Sequence, residues 1–280
     1  MEQADPVLVA DQSLIASLIP PRNPASHKGN HGHALLIAGN TGKMGAAVLS
    51  STACLRSGAG LLTVNVPREE RSILQTSIPE AMLMMREEGG TLTPFSAIGI
   101  GPGMGVDDAG VALLENLLEN YQKPVLIDAD ALTVLSLNRH MWAMIPVNSV
   151  LTPHPGEFDR MFGKHDSIAE RNVKAIQLSL LHPWVIVLKG QQTQIAYEGK
   201  AYINTTGNAG LAKGGSGDTL TGIILSFLAQ GYTALNAAIT GVYLHGLAAD
   251  LALQDQSMES MLATDIPAYL GKAFKTIAGA

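Results

Sequence analysis

The segment NTTGNAGLAKGGSGDTLTG, Asn204–Gly222, places one carboxylate where a glycine-rich loop gives way to an apolar, helix-like run. Backbone N–H groups of Gly215, Ser216 and Gly217 at a helix start can form an anion-binding nest, and the helix dipole adds partial positive charge there. Asp218 does not suit a simple phosphate cradle, because its own charge repels phosphate. It makes sense if the carboxylate takes a proton from a hydroxyl while the amides receive the charge that builds on a transferring phosphoryl group. An acid in the first turn is also favoured by the dipole alone, so spacing leaves both readings standing. The familiar phosphate loops do not fit. GNTGKM is too short between its glycines for Walker A and has Met44 where Ser or Thr is needed; GIGPGMG lacks the third Rossmann glycine.

Other polar segments follow apolar, strand-like runs: AGNTGKMG, GIGPGMG, DADAL, TPHPGE and LKGQQT. Ligands of open α/β sheets bind at such carboxyl ends. Lys189 in LKGQQT suits either a nucleotide phosphate or the surface end of a hairpin strand. His154 lies between Pro153 and Pro155, which restrict its backbone. Glu157 reads as a cap of the next helix rather than an organiser of Mg²⁺ or water. Ala46 and Ala47 open a helix with small side chains, which suits a dinucleotide lying against it or tight packing on the sheet. Gly103 and Gly105 permit close backbone approach. Lys213 either neutralises phosphoryl charge or is solvated. Asp128 and Asp130 end a strand, where acids can hold Mg²⁺ through water or cap a turn. His27, His31 and His33 match no zinc pattern.

These residues need a scaffold, and apolar strand-like runs alternate with longer helix-like segments along the chain. HALLIAG, LLTVNVP, AMLMMRE, SAIGIG, PVLID, SVLTP and WVIVLKG read as strands. GAAVLSSTACLRSGAG, DDAGVALLENLLENY and the segments Asp218–Gln230, Ala234–Leu253 and Asp265–Ala278 read as helices. That alternation predicts a mainly parallel sheet covered by helices on both faces. TQIAYEGKAYINTT breaks it as a hairpin turning at Glu198-Gly199. The 280 residues are expected to form one domain, with the first thirty an irregular arm. Hydrophobic residues make up 46% and charged residues 15%, as in a compact globular protein. A net charge of −6 without a basic block argues against nucleic-acid binding. No apolar run reaches the roughly 18 residues of a membrane span. The acidic N-terminus lacks a signal peptide's basic region, and the one cysteine, Cys54, excludes an intramolecular disulfide. A cytoplasmic location is expected.

Gly-x-Gly-Asp at a helix start, after a strand-rich half, resembles the ribokinase-like superfamily. HKGNHGHALLIAGNTGKMGAA, GIGPGMG, LTPHPGEF, VIVLKGQQTQIA and NTTGNAGLAKGGSGDTLTGIILSFLAQG together resemble the ADP-dependent NAD(P)H-hydrate dehydratases, in order from about His27 to Leu253. The resemblance implies a ribokinase-like three-layer sandwich. It also implies a reaction in which ADP phosphorylates the ring hydroxyl of the S form of hydrated NADH or NADPH. Phosphate then leaves, and NAD(P)H, AMP and phosphate result. By the same resemblance Asp218 is the base and Gly215, Ser216 and Gly217 form the anion hole. Lys189, Gly190, Gln191, Gln192, Thr193 and Gly217 bind AMP or ADP; Ala46, Ala47, Gly103, Gly105, His154 and Asp218 bind the hydrated dinucleotide. Mg²⁺, a homotetramer and preference for ADP over ATP are further implications. Many bacterial members carry an added epimerase domain, and this length resembles the stand-alone form. A vitamin- or sugar-alcohol kinase of the same fold is the rival function.

Overall fold

Runs such as ALLI and VIVL are apolar at consecutive positions, which suits strands buried on both faces. The computed structural model describes residues 7–279. In chain order the elements are β1 (Val7–Ala10), α1 (Gln12–Leu18), β2 (His33–Ile37), α2 (Met44–Arg56), β3 (Leu61–Val66), α3 (Arg71–Ser77) and β4 (Met82–Met85). There follow β5 (Ala97–Ile100), α4 (Asp108–Asn120), β6 (Val125–Ile127), α5 (Asp130–Leu137), β7 (Val150–Leu151), α6 (Pro155–Phe162) and α7 (Ile168–Leu181). The chain closes with β8 (Val185–Leu188), β9 (Gln194–Tyr197), β10 (Lys200–Asn204), α8 (Ser216–Ala229), α9 (Ala234–Ala252) and α10 (Asp265–Ala278).

The strands form one sheet in the order β1-β10-β9-β8-β7-β6-β5-β2-β3-β4. Every pairing is parallel except those of β9 with β8 and with β10. The expected hairpin is the source of that exception: Glu198 (φ 49°) and Gly199 (φ 76°) both take positive φ, as a two-residue hairpin turn requires. The chain leaves β2 in one direction for β3 and β4, then returns beside β2 as β5. A crevice opens at such a reversal, at the carboxyl ends of the strands.

Helices cover both faces. Ile15 of α1 and the inner sides of α2, α8, α9 and α10 bury one side of the sheet, with Val185 and Val187 among the strand residues there. Leu114 and Leu117 of α4 and Leu132 and Leu135 of α5 pack against Leu35, Ile98 and Ile100 on the other. Phe158 of α6 and Leu178 of α7 extend that second layer over Ile186 and Leu188. The three-layer sandwich and mainly parallel sheet agree with the sequence expectation.

The N-terminal arm does not. Val7–Ala10 pair in parallel with β10, and Asp11 caps α1 by accepting a hydrogen bond from the Leu14 amide at 2.9 Å. Ile15 is fully buried. The outer edge of β10 presents unpaired backbone groups, and the arm satisfies them; nothing local to the arm announces that partner. Residues 1–6 of the expected arm lie outside the described residues.

The closest helix contact is between α2 and α8. A Cβ built on Gly222 falls 2.0 Å from the Ser50 carbonyl oxygen and 2.9 Å from Ala53 Cβ. Gly222→Ala therefore forces the two backbones apart. It is expected to lower stability by about 1–3 kcal/mol, as for overpacked cores, and a denaturant melt with an unchanged midpoint would refute this.

Candidate active site

α8 begins at Ser216, as the glycine loop requires. Its N-cap, Gly215, is left-handed (φ 93°), and no side chain caps the helix. A Cβ there would also meet Leu49 Cδ1 at 2.6 Å, so glycine is demanded by backbone angle and by space. Among the described residues no protein group accepts from the amides of Gly217 and Asp218. α2 and α5 likewise lack a side-chain cap, and both follow strands that end in this crevice. Three uncapped N-termini at one sheet end leave amide donors and dipole charge for an anion.

Asp218, in the first turn of α8, is half-buried, and its carboxylate hydrogen-bonds to no group among the described residues. Burial, then the negative charge of Asp128, pushes its pKa up to about 6; Lys189 opposes the shift and Asp130 adds to it. A carboxylate so placed is ionised near neutral pH yet basic enough to accept a hydroxyl proton.

Behind Asp218 lies a buried charge network. Lys189 Nζ is 2.8 Å from Asp128 Oδ1 and 3.9 Å from Glu157 Oε2. Thr221 Oγ1 donates to Asp128 Oδ2 at 2.6 Å. Burial alone would lower the Lys189 pKa, but the carboxylates of Asp128, Glu157 and Asp218 outweigh it and hold the pKa above its ordinary value. Lys189 is thus a charged ammonium turned inward. The surface-strand-end reading is corrected by this burial; the phosphate reading keeps its geometry, since a Cβ on Gly217 would meet Lys189 Nζ at 3.4 Å. Gly190, Gln191 and Gln192 form the exposed tip of the same turn, and Thr193 Oγ1 closes it on the Gly190 carbonyl at 3.3 Å.

The remaining sequence candidates divide. Glu157 caps α6 as expected: its Oε2 accepts from the His154 amide at 2.8 Å. His154 completes the box, with Nδ1 accepting from the Gly156 amide at 3.0 Å. Its half-exposed ring can therefore offer a ligand its face and edge, while Nδ1 is committed to the helix. Ala46 is half-buried, but Ala47 is fully buried, so it offers no surface to a dinucleotide. A side chain on Gly103 would meet Lys43 O at 2.9 Å, and one on Gly105 would meet Asn40 Nδ2 at 3.1 Å. Both glycines let the Pro102–Gly105 turn press on the turn that opens α2. Asp130 accepts from the Gly105 amide at 2.9 Å and lies 3.3 Å from Lys43 Nζ, tying that pair of turns to α5. Lys213 donates to the carbonyl oxygens of Glu259 and, at 2.7 Å, Met261. It anchors the loop, which overturns both the phosphoryl-charge and the solvated readings.

Several contributors escaped the sequence. Asp250 of α9 accepts from the Gly207 amide (2.8 Å) and Asn208 Nδ2 (2.9 Å), fixing the loop that leads to Gly215. His245 Nε2 lies 3.0 Å from Ser216 O, and burial pushes its pKa down to about 4. Arg86 donates to the carbonyls of Ala38 (3.2 Å) and Gly39 (3.0 Å), ahead of α2. All three act from elements remote in sequence, and none belongs to a local motif.

Asp250→Ala removes two charge-assisted hydrogen bonds, each contributing roughly 1.5–3 kcal/mol. We expect lower stability and faster amide hydrogen exchange across residues 205–215, beyond any change in the sheet. Unchanged protection of that loop would show that it is held by other contacts.

A family profile described as NAD(P)H-hydrate dehydratase matches residues 34–272. The chain is 35% identical to the ADP-dependent (S)-NAD(P)H-hydrate dehydratase of Bacillus subtilis, across 93% of this chain and 95% of that one. It is 38% identical to the bifunctional NAD(P)H-hydrate repair enzyme Nnr of Moorella thermoacetica, covering 91% of this chain but 51% of that protein; the chain thus spans about half the length of such relatives. The crystal structure of the ADP/ATP-dependent NAD(P)H-hydrate dehydratase from Bacillus subtilis, co-crystallised with ATP and Mg²⁺, superposes with a TM-score of 0.85 at 32% identity, covering 97% of this chain and 99% of that one. The architecture is the ribokinase-like sandwich of these structures. With nearly the whole chain matched in both sequence and fold, the protein belongs to the NAD(P)H-hydrate dehydratase family.

Proposed function

We propose that the protein restores NADH and NADPH from the S form of their hydrates, with ADP as phosphoryl donor, and acts as one domain. The observation that carries this reading is Asp218: an unpartnered carboxylate with a pKa raised to about 6, in the first turn of an uncapped helix. It takes the proton of the ring hydroxyl. That oxygen attacks the terminal phosphorus of ADP, the bond to AMP breaks, and the Gly215 and Gly217 amides receive the charge on the phosphoryl oxygens, joined by the Ser216 amide once it gives up its long 3.4 Å bond to the Lys213 carbonyl. Phosphate is a better leaving group than hydroxide. It departs with its carbon–oxygen bonding pair, the adjacent ring carbon loses a proton, and the dihydronicotinamide ring is restored. AMP is assigned to the Lys189–Thr193 segment with Gly217, beside which the Lys189 ammonium lies. The hydrated dinucleotide is assigned to Ala46, the Gly103–Gly105 turn, His154 and Asp218.

Among the described residues no group of three or more His, Cys, Asp or Glu could hold a metal. Asp128 is taken up by Lys189 and Thr221. These donors fit Mg²⁺ carried by the nucleotide's phosphates, with Asp130 holding it through water, and not a protein cage. Bound there, the ion would neutralise phosphate charge.

The reading extends to a cytoplasmic homotetramer. No helix among the described residues is long and apolar enough to cross a membrane. Val7 and Val9 on β1 and Leu180 and Leu181 at the end of α7 are exposed apolar side chains that such an assembly can cover.

The deciding assay mixes the protein with hydrated NADH and either ADP or ATP. Recovery of NADH with AMP and phosphate is expected with ADP; a stable phosphorylated product without NADH would favour the alcohol-kinase function. Asp218→Asn should lower turnover by about 10²–10⁴ while AMP affinity by calorimetry changes little. A base must be ionised to act, so kcat of the unaltered protein should rise with pH through about 6 and then level. A profile already level near the ordinary carboxylate range would place the base elsewhere.

A further inference from the structure

A cavity of about 330 Å³ opens on the α4 face of the sheet, beside the candidate active site. Leu35, Met84 and Leu113 supply apolar wall, and Asn65, Asn116 and Arg86 are its polar lining. It exists because α4 lies over β2 and β5 while β3 and β4 continue beyond it. The volume falls in the range of small-molecule sites.

Arg86 is the unusual feature. Its Nε donates to Asn65 Oδ1 at 3.2 Å, and its Nη2 donates to the carbonyl oxygens of Ala38, Gly39 and Asn65. Every one of these partners is uncharged, and Nη1 has no protein partner among the described residues. The nearby acids are engaged elsewhere. Glu87 accepts from the Arg68 amide, Glu88 pairs with the Arg68 side chain, and Asp107 caps α4 through the Gly110 amide. Glu87 and Asp107 act on the half-buried guanidinium only through space, with no carboxylate hydrogen-bonded to it, and its free Nη1 donors match a phosphate.

The cavity is joined to the candidate site through the turn that opens α2. Arg86 holds Gly39 from one side of the turn that opens α2; Gly103 and Gly105 press on that turn from beside Asp130. α4, which walls the cavity, starts three residues after Gly105. A dinucleotide whose nicotinamide ring reaches Asp218 and crosses Ala46 and Gly103 has its other nucleoside directed over this turn.

We propose that the cavity receives the adenosine end of the hydrated dinucleotide, with Arg86 as ligand of a ribose 2′-phosphate, and so favours hydrated NADPH over hydrated NADH. The assignment rests on the dehydratase reading and names the group that distinguishes its two substrates. An arginine beside the ribose is a general means of accepting a 2′-phosphate.

The test compares Arg86→Gln and Asn116→Asp with the unaltered protein. One arm measures kcat/KM for hydrated NADPH and hydrated NADH. The other titrates adenosine 2′,5′-bisphosphate into protein already saturated with AMP, so that the AMP position is filled. Each variant should lower the NADPH-to-NADH ratio of kcat/KM on the order of tenfold, and weaken the bisphosphate by a similar factor. Arg86→Gln also loosens Gly39 and is expected to slow both substrates. The ratio isolates the 2′-phosphate, and Asn116→Asp adds repulsion from α4 without altering the Gly39 contact. An unchanged ratio in both variants, or no binding of the bisphosphate to the AMP-saturated protein, overturns the proposal. If the unaltered protein turns over neither hydrate, the dehydratase reading fails, while the bisphosphate titration still decides the cavity.

Discussion

The Asp128–Lys189 ion pair is the interaction on which the site depends. Asp128 stands at the end of β6, Lys189 at the end of β8, and Thr221 reaches Asp128 from α8. Glu157 brings in α6 from the opposite helical layer. One network therefore fixes two strands and one helix from each face around the first turn of α8. Desolvating such charges costs several kcal/mol per ion, and the bonds among them offset that cost only if the geometry is kept. The pair is weak evidence for stability and stronger evidence for specificity of position.

The same network sets the electrostatics of Asp218. A lone cation behind the carboxylate would keep its pKa low and make it a poor base. A lone anion would raise it further and favour the protonated form. Placing Lys189 and Asp128 together gives opposing effects, and burial then leaves the carboxyl shifted up to about 6. The glycine loop can accordingly hold both an acid and an anion site. In the proposed reaction the amides would face the phosphoryl group while the acid serves the hydroxyl.

The scaffold brings those amides together by helix placement. α8 packs on α2 at the Gly222–Ser50 contact and lies over β5, where a Cβ on Gly99 would meet Leu225 Cδ2 at 3.1 Å. α2 follows β2 and α5 follows β6, so the N-termini of α2, α5 and α8 point toward one sheet end. Side-chain caps elsewhere, such as Asp107 on α4 and Thr233 on α9, show what is missing here. An uncapped helix start is unfavourable until an anion supplies the acceptor.

What the sequence determined is mostly local. Alternating apolar runs and helical periods gave the layers, since periodicity dictates which side chains share a face. Glu198-Gly199 specified the hairpin, and GGSGD specified a helix start with a carboxylate in its first turn, because positive φ and uncapped amides are properties of short segments. Tertiary structure decided the partners. Lys189 has no sequence neighbour to mark it as the mate of Asp128, 61 positions away, or as turned inward. Ala47 looks like Ala46 until helix rotation buries it. Lys213, Asp250 and Arg86 each hold carbonyls or amides of a distant loop, and β1 became a strand because β10 offered it an edge. These assignments depend on which backbone groups remain unsatisfied after the sheet and helices have packed, a quantity that no single segment carries.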